Sequence, residues 1–275
     1  MGECDGRRGM KPPAVLVQRH LLDPREADQA GAAPIADAVN IPLSELPGRT
    51  HELPPREEVI RVAATPELAG RTVSWLTSNG RRAAVQTEFE PVAGSNTSGV
   101  GRLWQPNAFL VDILWHLAPT TALDLACGTG RDAIYMASRG WDVIAVDLLP
   151  DALERARDLA RRCAPAIRPV DWRVVDLEHD PPAPGRRFDL IVGFRYLHRP
   201  LFQRLADWLN PGGSVVYETF TTVHRERYGK PARPSHALEP DELPGLLKGM
   251  EIVDHSEGWR VSAHTARVWA RAPGR

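Results

Sequence analysis

The segment Asp124-Leu125-Ala126-Cys127-Gly128-Thr129-Gly130 joins a short apolar run to a helical pattern. A loop of this kind brings its backbone close to a bound cofactor. Gly128 and Gly130 present no side chain to block that approach, and glycine tolerates positive φ. Asp147 lies 17 residues past Gly130, at the end of the next apolar run. A carboxylate there can accept both hydroxyls of a ribose. Asp176, after a third run, is placed to meet an adenine amino group. The chemistry indicated is the binding of a nucleoside-containing cofactor. Two such cofactors fit the glycines alone, because Gly128-x-Gly130-x-x-Ala133 also satisfies the dinucleotide fingerprint, with Asp147 then serving the ribose of NAD.

Candidate substrate contacts follow in Arg195-Tyr196-Leu197-His198-Arg199-Pro200. His198 can take a proton near neutral pH, or it can simply sit at the surface before the next helix. Tyr196 and His198 are the candidate catalytic residues. Arg195 and Arg199 are suited to an anionic group or to solvent. Thr221 to Pro231 mixes charges with glycine and proline, reads as a long loop, and contains His224, Arg225 and Tyr228. Long loops in compact domains often act as lids or binding elements. Arg102-Leu103-Trp104-Gln105-Pro106 is a second candidate cover, anchored by Trp104. Cys127 reads as a small residue packed in a tight turn rather than a nucleophile.

The elements that must position these groups alternate. Thr121 to Ala126, Trp141 to Val146, Asp171 to Val175, Phe188 to Phe194 and Ser214 to Glu218 read as strands. Arg131 to Arg139, Asp151 to Arg162 and Leu201 to Leu209 read as helices, the last stopped by Asn210-Pro211-Gly212-Gly213. Met250 to His255 and Thr265 to Ala270 close the chain as two strands in tandem, like a hairpin. Nearly continuous apolar strands alternating with helices imply a parallel sheet covered on both faces, hence a doubly wound α/β fold.

Three features separate the two cofactors. Asp124 sits inside the first strand, where it can orient the loop and approach a methionine amino group. Pro211-Gly212-Gly213 precedes the fifth strand, and the chain ends in a hairpin rather than another βαβ unit. These residues resemble the class I S-adenosylmethionine-dependent methyltransferases, well over Ala122 to Phe220 and loosely beyond. The resemblance implies a Rossmann-like fold of seven strands and S-adenosylmethionine as cofactor. It implies that Asp124, Gly128 and Gly130 contact the methionine part, Asp147 the ribose, and Asp176 and Leu177 the adenine, with Ala126 and Leu148 as further cofactor-binding residues. Phe194, within Gly193-Phe194-Arg195-Tyr196, would lie beneath the transferred methyl. The N/D-P-P-Y/F tetrad of base and glutamine methylation is absent there. Tyr196 to Phe202 with Tyr217 to Phe220 is similar to a bacterial group often linked to tellurite resistance.

In the N-terminal half, Leu21-Leu22-Asp23-Pro24-Arg25-Glu26 is followed by Ile35-Ala36-Asp37-Ala38-Val39-Asn40-Ile41-Pro42. The pairing resembles rhodanese-like domains, in which one strand ends in D-x-R and the next reads A-x-N-I-P. It covers about Pro13 to Pro91, with Val59 to Ala64 as the next strand and Leu68 to Thr77 as the helix after it. Sulfur transfer needs a thiolate in the loop between them. Ala63-Ala64-Thr65-Pro66-Glu67 stands there, and no cysteine lies between Cys4 and Cys127. The expected organisation is a disordered tail (1–12), a rhodanese-like α/β domain without its nucleophile (13–92), a flexible glycine- and serine-rich linker (93–102) and a methyltransferase domain (103–275).

Composition narrows the function class. The 275 residues carry a net charge of -1, which counts against a nucleic-acid partner. Three scattered cysteines make neither a disulfide framework nor a zinc site. No apolar run approaches the roughly 18 residues of a membrane span, and the polar N-terminus lacks a signal-peptide pattern. A cytoplasmic enzyme acting on a small-molecule acceptor is expected. The alternative is a cofactor-binding regulatory or scaffold protein that transfers nothing.

Overall fold

The computed structural model describes residues 15–89 and 99–274. They divide into two compact units, one ending at Leu103 and one starting at Trp104, with Pro165–Ile167 counted in the first. The expected tail and residues 93–98 of the expected linker lie outside the described residues. The rest of that linker is not a free connection. β6 (Val100–Arg102) pairs in parallel with β1 (Leu16–Gln18) as part of the first unit. A Cβ on Gly101 would come within 3.0 Å of Val39, so this glycine serves close approach rather than flexibility.

Between those two strands lie β2 (Leu21–Asp23), α1 (Ala27–Ala32), β3 (Ala38–Asn40), β4 (Val59–Val62), α2 (Pro66–Ser78) and β5 (Arg82–Val85). Four of them form a parallel sheet in the order β3-β2-β4-β5. Leu22, Ile41, Leu46, Ile60, Val62 and Leu76 fill its core. The buried Asp23 carboxylate accepts both Nε (2.9 Å) and Nη2 (2.7 Å) of Arg25. Asn40 Nδ2 donates to the carbonyls of Asp23 and Arg25. The two sequence motifs of this half are therefore bonded to each other.

The second unit opens with α3 (Ala108–Leu114), capped by Asn107 Oδ1, which accepts from the N–H groups of Phe109 and Leu110. It continues through β7 (Thr121–Leu125), α4 (Arg131–Ser138), β8 (Asp142–Asp147), α5 (Pro150–Cys163), β9 (Val170–Val174) and β10 (Phe188–Phe194). The expected single helix over Leu201 to Leu209 is two short ones, α6 (Arg199–Phe202) and α7 (Leu205–Trp208). Pro200 at the helix start pulls the first forward. β11 runs from Leu209 to Phe220, taking in the glycine segment expected as a stop. The register to β10 jumps there from Phe188↔Leu209 to Leu190↔Ser214, so Asn210–Gly213 form a bulge within the strand, with Gly212 left-handed at φ 75.

α8 (Thr222–Tyr228) corrects the expected loop after that strand, and α9 (Glu242–Leu246) follows. His224 and Tyr228 are four residues apart, and their ring centroids lie 4.9 Å apart on one helical face. β12 (Glu251–Arg260) and β13 (Ala263–Arg271) form the closing hairpin, longer than its apolar runs suggested. The seven-stranded sheet has the order β12-β13-β11-β10-β7-β8-β9, parallel except at β13. Chain order reverses between β7 and β10, which opens a crevice at the carboxyl ends of the strands, the usual ligand position in open α/β sheets.

Candidate cofactor and acceptor site

The glycine loop leaves β7 into that crevice. Ala126 (φ 53), Gly128 (φ 56) and Gly130 (φ 75) are all left-handed, and Gly130 caps α4. The two glycines have different reasons. A Cβ on Gly128 would meet nothing within 4 Å, so that position faces open space. A Cβ on Gly130 would lie 2.4 Å from the Trp172 ring and 2.9 Å from Ala156. Packing of the loop on α5 and β9 therefore leaves no room for a side chain at Gly130.

Asp147, the last residue of β8, holds the loop as well as lining the crevice. Its Oδ2 accepts the Gly128 N–H at 2.7 Å, and its Oδ1 accepts the Leu149 N–H at 2.9 Å. Each oxygen retains a lone pair for a ribose hydroxyl. Leu148 beside it is 56% exposed, an apolar surface for a flat base. Asp176 is placed less favourably for adenine. Its carboxylate already accepts the Glu178 N–H (3.0 Å) and meets His179 Nδ1 (2.9 Å), and that histidine holds it below its ordinary pKa. The Leu177 side chain is buried in the core and leaves its backbone for contact.

Asp124 is 2% exposed, and its Oδ2 has no hydrogen-bond partner. Burial, then the nearby Asp132, push its pKa well above the ordinary carboxylate range, against a backbone N–H at Ala133. Asp132 is likewise raised by burial, although the Asn107 N–H donates to it at 2.6 Å. An orphaned carboxylate oxygen beside a second carboxyl is a site for a cation. Asn107 also donates from Nδ2 to Glu218 Oε2 (3.0 Å), and Glu218 Oε1 accepts from Thr265 Oγ1. Asn107 and Asp132 had no part in the sequence reading. Asn before Ala108-Phe109-Leu110 is a helix-start signal, but its tie to Asp132 is visible only in three dimensions.

Phe194 ends β10 half-buried, and Arg195 after it is left-handed at φ 59. Tyr196 packs against the core, and its carbonyl accepts the Tyr217 hydroxyl at 2.8 Å. Burial, with Glu178 and Asp176 adding to it, pushes the Tyr196 phenol up to about 12. At neutral pH it can donate a proton but not accept one. His198 precedes α6 without capping it, and its Nδ1 lies 3.9 Å from Glu178. Arg199 is committed elsewhere, to both oxygens of Glu242 and to the carbonyls of Ser235 and Ala237. Trp104, expected as the anchor of a covering segment, is buried. Burial, with Asp124 and Asp147 nearby, raises the Cys127 thiol and leaves it unreactive.

Comparison with known proteins agrees with this architecture. Residues 122–213 match the family model described as a methyltransferase domain. The rat glycine N-methyltransferase is 30% identical over 131 residues, covering 40% of this chain and 44% of its own length. The demethylmenaquinone methyltransferase of Thermus thermophilus is 29% identical over 158 residues, 55% of this chain and 69% of that protein. The alignment thus spans less than half of the glycine N-methyltransferase. The magnesium protoporphyrin IX methyltransferase of Synechocystis PCC 6803, solved with bound SAH, superposes with a TM-score of 0.50 at 14% identity, covering 60% of this chain and 81% of that one. The second unit has the α/β Rossmann-like methyltransferase fold with a mixed sheet of seven strands. The family match covers residues 122–213, about a third of the chain, and lies within this unit.

Proposed function

We propose that the second unit binds S-adenosylmethionine and transfers its methyl group to a small-molecule acceptor. The observation that carries this reading is the buried, unpartnered Asp124 Oδ2 in β7, just before the glycine loop. A methionine ammonium, with three N–H donors, would satisfy that oxygen and the raised Asp132 together, whereas NAD carries no ammonium. The bound cofactor supplies an already activated sulfonium methyl. The acceptor's lone pair would take that methyl by in-line displacement, so the part left to the protein is to align the two reactants. Asp147 and the glycine loop would hold the cofactor and so fix one reactant. Alignment of this kind is worth ~7–11 kcal/mol. Tyr196, held protonated, serves as a donor to the acceptor, and His198 is the remaining proton acceptor in that segment.

The test is calorimetric titration with S-adenosylmethionine and with NAD. The expected outcome is micromolar binding of the first and none of the second; the reverse would overturn the reading. Label transfer from radioactive cofactor into small-molecule extracts then separates an enzyme from a binding scaffold.

The finer affiliation with tellurite- and small-molecule methyltransferases rests on Tyr196 to Phe202 and Tyr217 to Phe220. The first unit is proposed to be a rhodanese-like domain that has lost sulfur transfer, supported by the bonded Asp23, Arg25 and Asn40 motifs. Ala63 and Ala64, buried after β4, carry no thiol. No helix among the described residues is long and apolar enough to cross a membrane, and a cytoplasmic location is proposed.

A further inference from the structure

Arg195 differs from the other arginines around the crevice. Its left-handed backbone (φ 59) disfavours a residue with a Cβ. Such outliers persist where surrounding structure imposes them, often at functional positions. Here the Arg195 N–H donates to the Glu218 carbonyl at 2.8 Å, pinning the turn to β11. The residue is exposed, and its guanidinium has no ion pair or hydrogen bond among the described residues. Arg199, four positions on, has its fork filled by Glu242 and two carbonyls. The same stretch of chain therefore holds one occupied guanidinium and one vacant one.

The surroundings of the vacant fork describe what it would bind. The Arg195 Cζ lies 5.9 Å from the centre of the Phe220 ring, which stacks on His224 at 4.4 Å and 17°. The His224 Nδ1 accepts the His264 N–H at 3.3 Å, and burial lowers the pKa of the ring. His224 is therefore neutral with its proton on Nε2. The half-buried Phe220 ring, backed by the buried His224, lies beside a free guanidinium and suits a flat apolar body carrying an anion. Arg131 adds positive charge on the side of the cofactor loop, whereas Asp132 and Glu218 stand close enough to oppose a dianion. A carboxylate is thereby favoured over a phosphate.

We infer that Arg195 anchors the carboxylate of a small, planar methyl acceptor whose apolar body lies on the Phe220–His224 stack, an inference that rests on the methyl-transfer reading above. The test uses the full chain saturated with S-adenosylhomocysteine, with benzoate and its neutral isostere benzamide as probes. Wild type should bind benzoate about tenfold more tightly than benzamide, the scale of one hydrogen-bonded charge pair. Arg195→Met should erase the difference without altering S-adenosylhomocysteine affinity, and Arg195→Lys should restore part of it. Equal binding of the two probes by a protein that does bind S-adenosylhomocysteine overturns the anchor alone. Failure to bind S-adenosylhomocysteine overturns the methyl-transfer reading and the anchor with it.

Discussion

The Asp147 Oδ2 accepts the backbone N–H of Gly128 across 2.7 Å, so the carboxylate expected to hold the ribose also holds the loop that shapes the rest of the site. Its other oxygen fixes the turn at Leu149. One side chain thus couples the end of β8 to the end of β7, and cofactor affinity to loop stability.

Asp147→Ala should therefore fail in two measurements at once. Leaving the Gly128 and Leu149 N–H groups without their acceptor should cost about 1–3 kcal/mol of stability, read as a lower unfolding midpoint in denaturant. Calorimetry should show cofactor affinity reduced at least tenfold. Unchanged affinity would mean that the ribose contact is misassigned.

The two loop glycines should respond differently to alanine. Gly130→Ala combines positive φ with a Cβ 2.4 Å from the Trp172 ring, and overpacking of this kind costs about 1–3 kcal/mol. Gly128→Ala meets no neighbour and pays only for its φ, on the order of 1 kcal/mol. Thermal melts of both variants without cofactor check the order; a more damaged Gly128 variant would contradict it.

The raised carboxyls make stability and binding depend on pH in opposite directions. Asp124 and Asp132 bind protons more tightly folded than unfolded. Their contribution is complete below the ordinary Asp range, roughly 4, and is lost as pH rises through the folded pKa. A methionine ammonium favours the ionised form, so binding releases a proton and tightens with pH over the same window. Glu242 and Asp189, both lowered, work the other way and lose their contribution as pH falls through that range. Asp124→Asn should flatten the upper part of the stability profile. Titrations in buffers of different ionisation enthalpy should detect the released proton in wild type; a pH-independent affinity would sink the linkage.

Arg199 ties the chain after α8 back to α6. Arg199→Met removes the pair with Glu242 and the bonds to Ser235 and Ala237. The pair is partly exposed, so a loss of about 1 kcal/mol is expected after solvent screening. Faster amide exchange confined to residues 229–247 would be its signature, and uniform exchange throughout the unit would refute it.

The first unit should yield no thiocyanate from thiosulfate and cyanide, since no thiol lies between Cys4 and Cys127. Cyanide-dependent product from the purified chain would contradict the proposed loss of sulfur transfer.

The sequence by itself determined the strand–helix alternation, the crevice-lining loop and the closing hairpin, because hydrophobic period and glycine–proline punctuation are local signals. It also placed Asp124 inside the first strand and Asp147 at the end of the second, as the structure has them. The tertiary structure alone decided what each residue does there. Gly130 looks like Gly128 in sequence, yet Trp172 from β9 makes it a packing position. Arg195 and Arg199 look alike, yet Glu242, 43 residues past Arg199, occupies one and leaves the other free. Asn107 meets Glu218 across 111 positions. Val100–Arg102, read as linker, became a strand because β1 offered it a backbone ladder. Such pairings depend on which distant group arrives at a given place, and no local pattern encodes that.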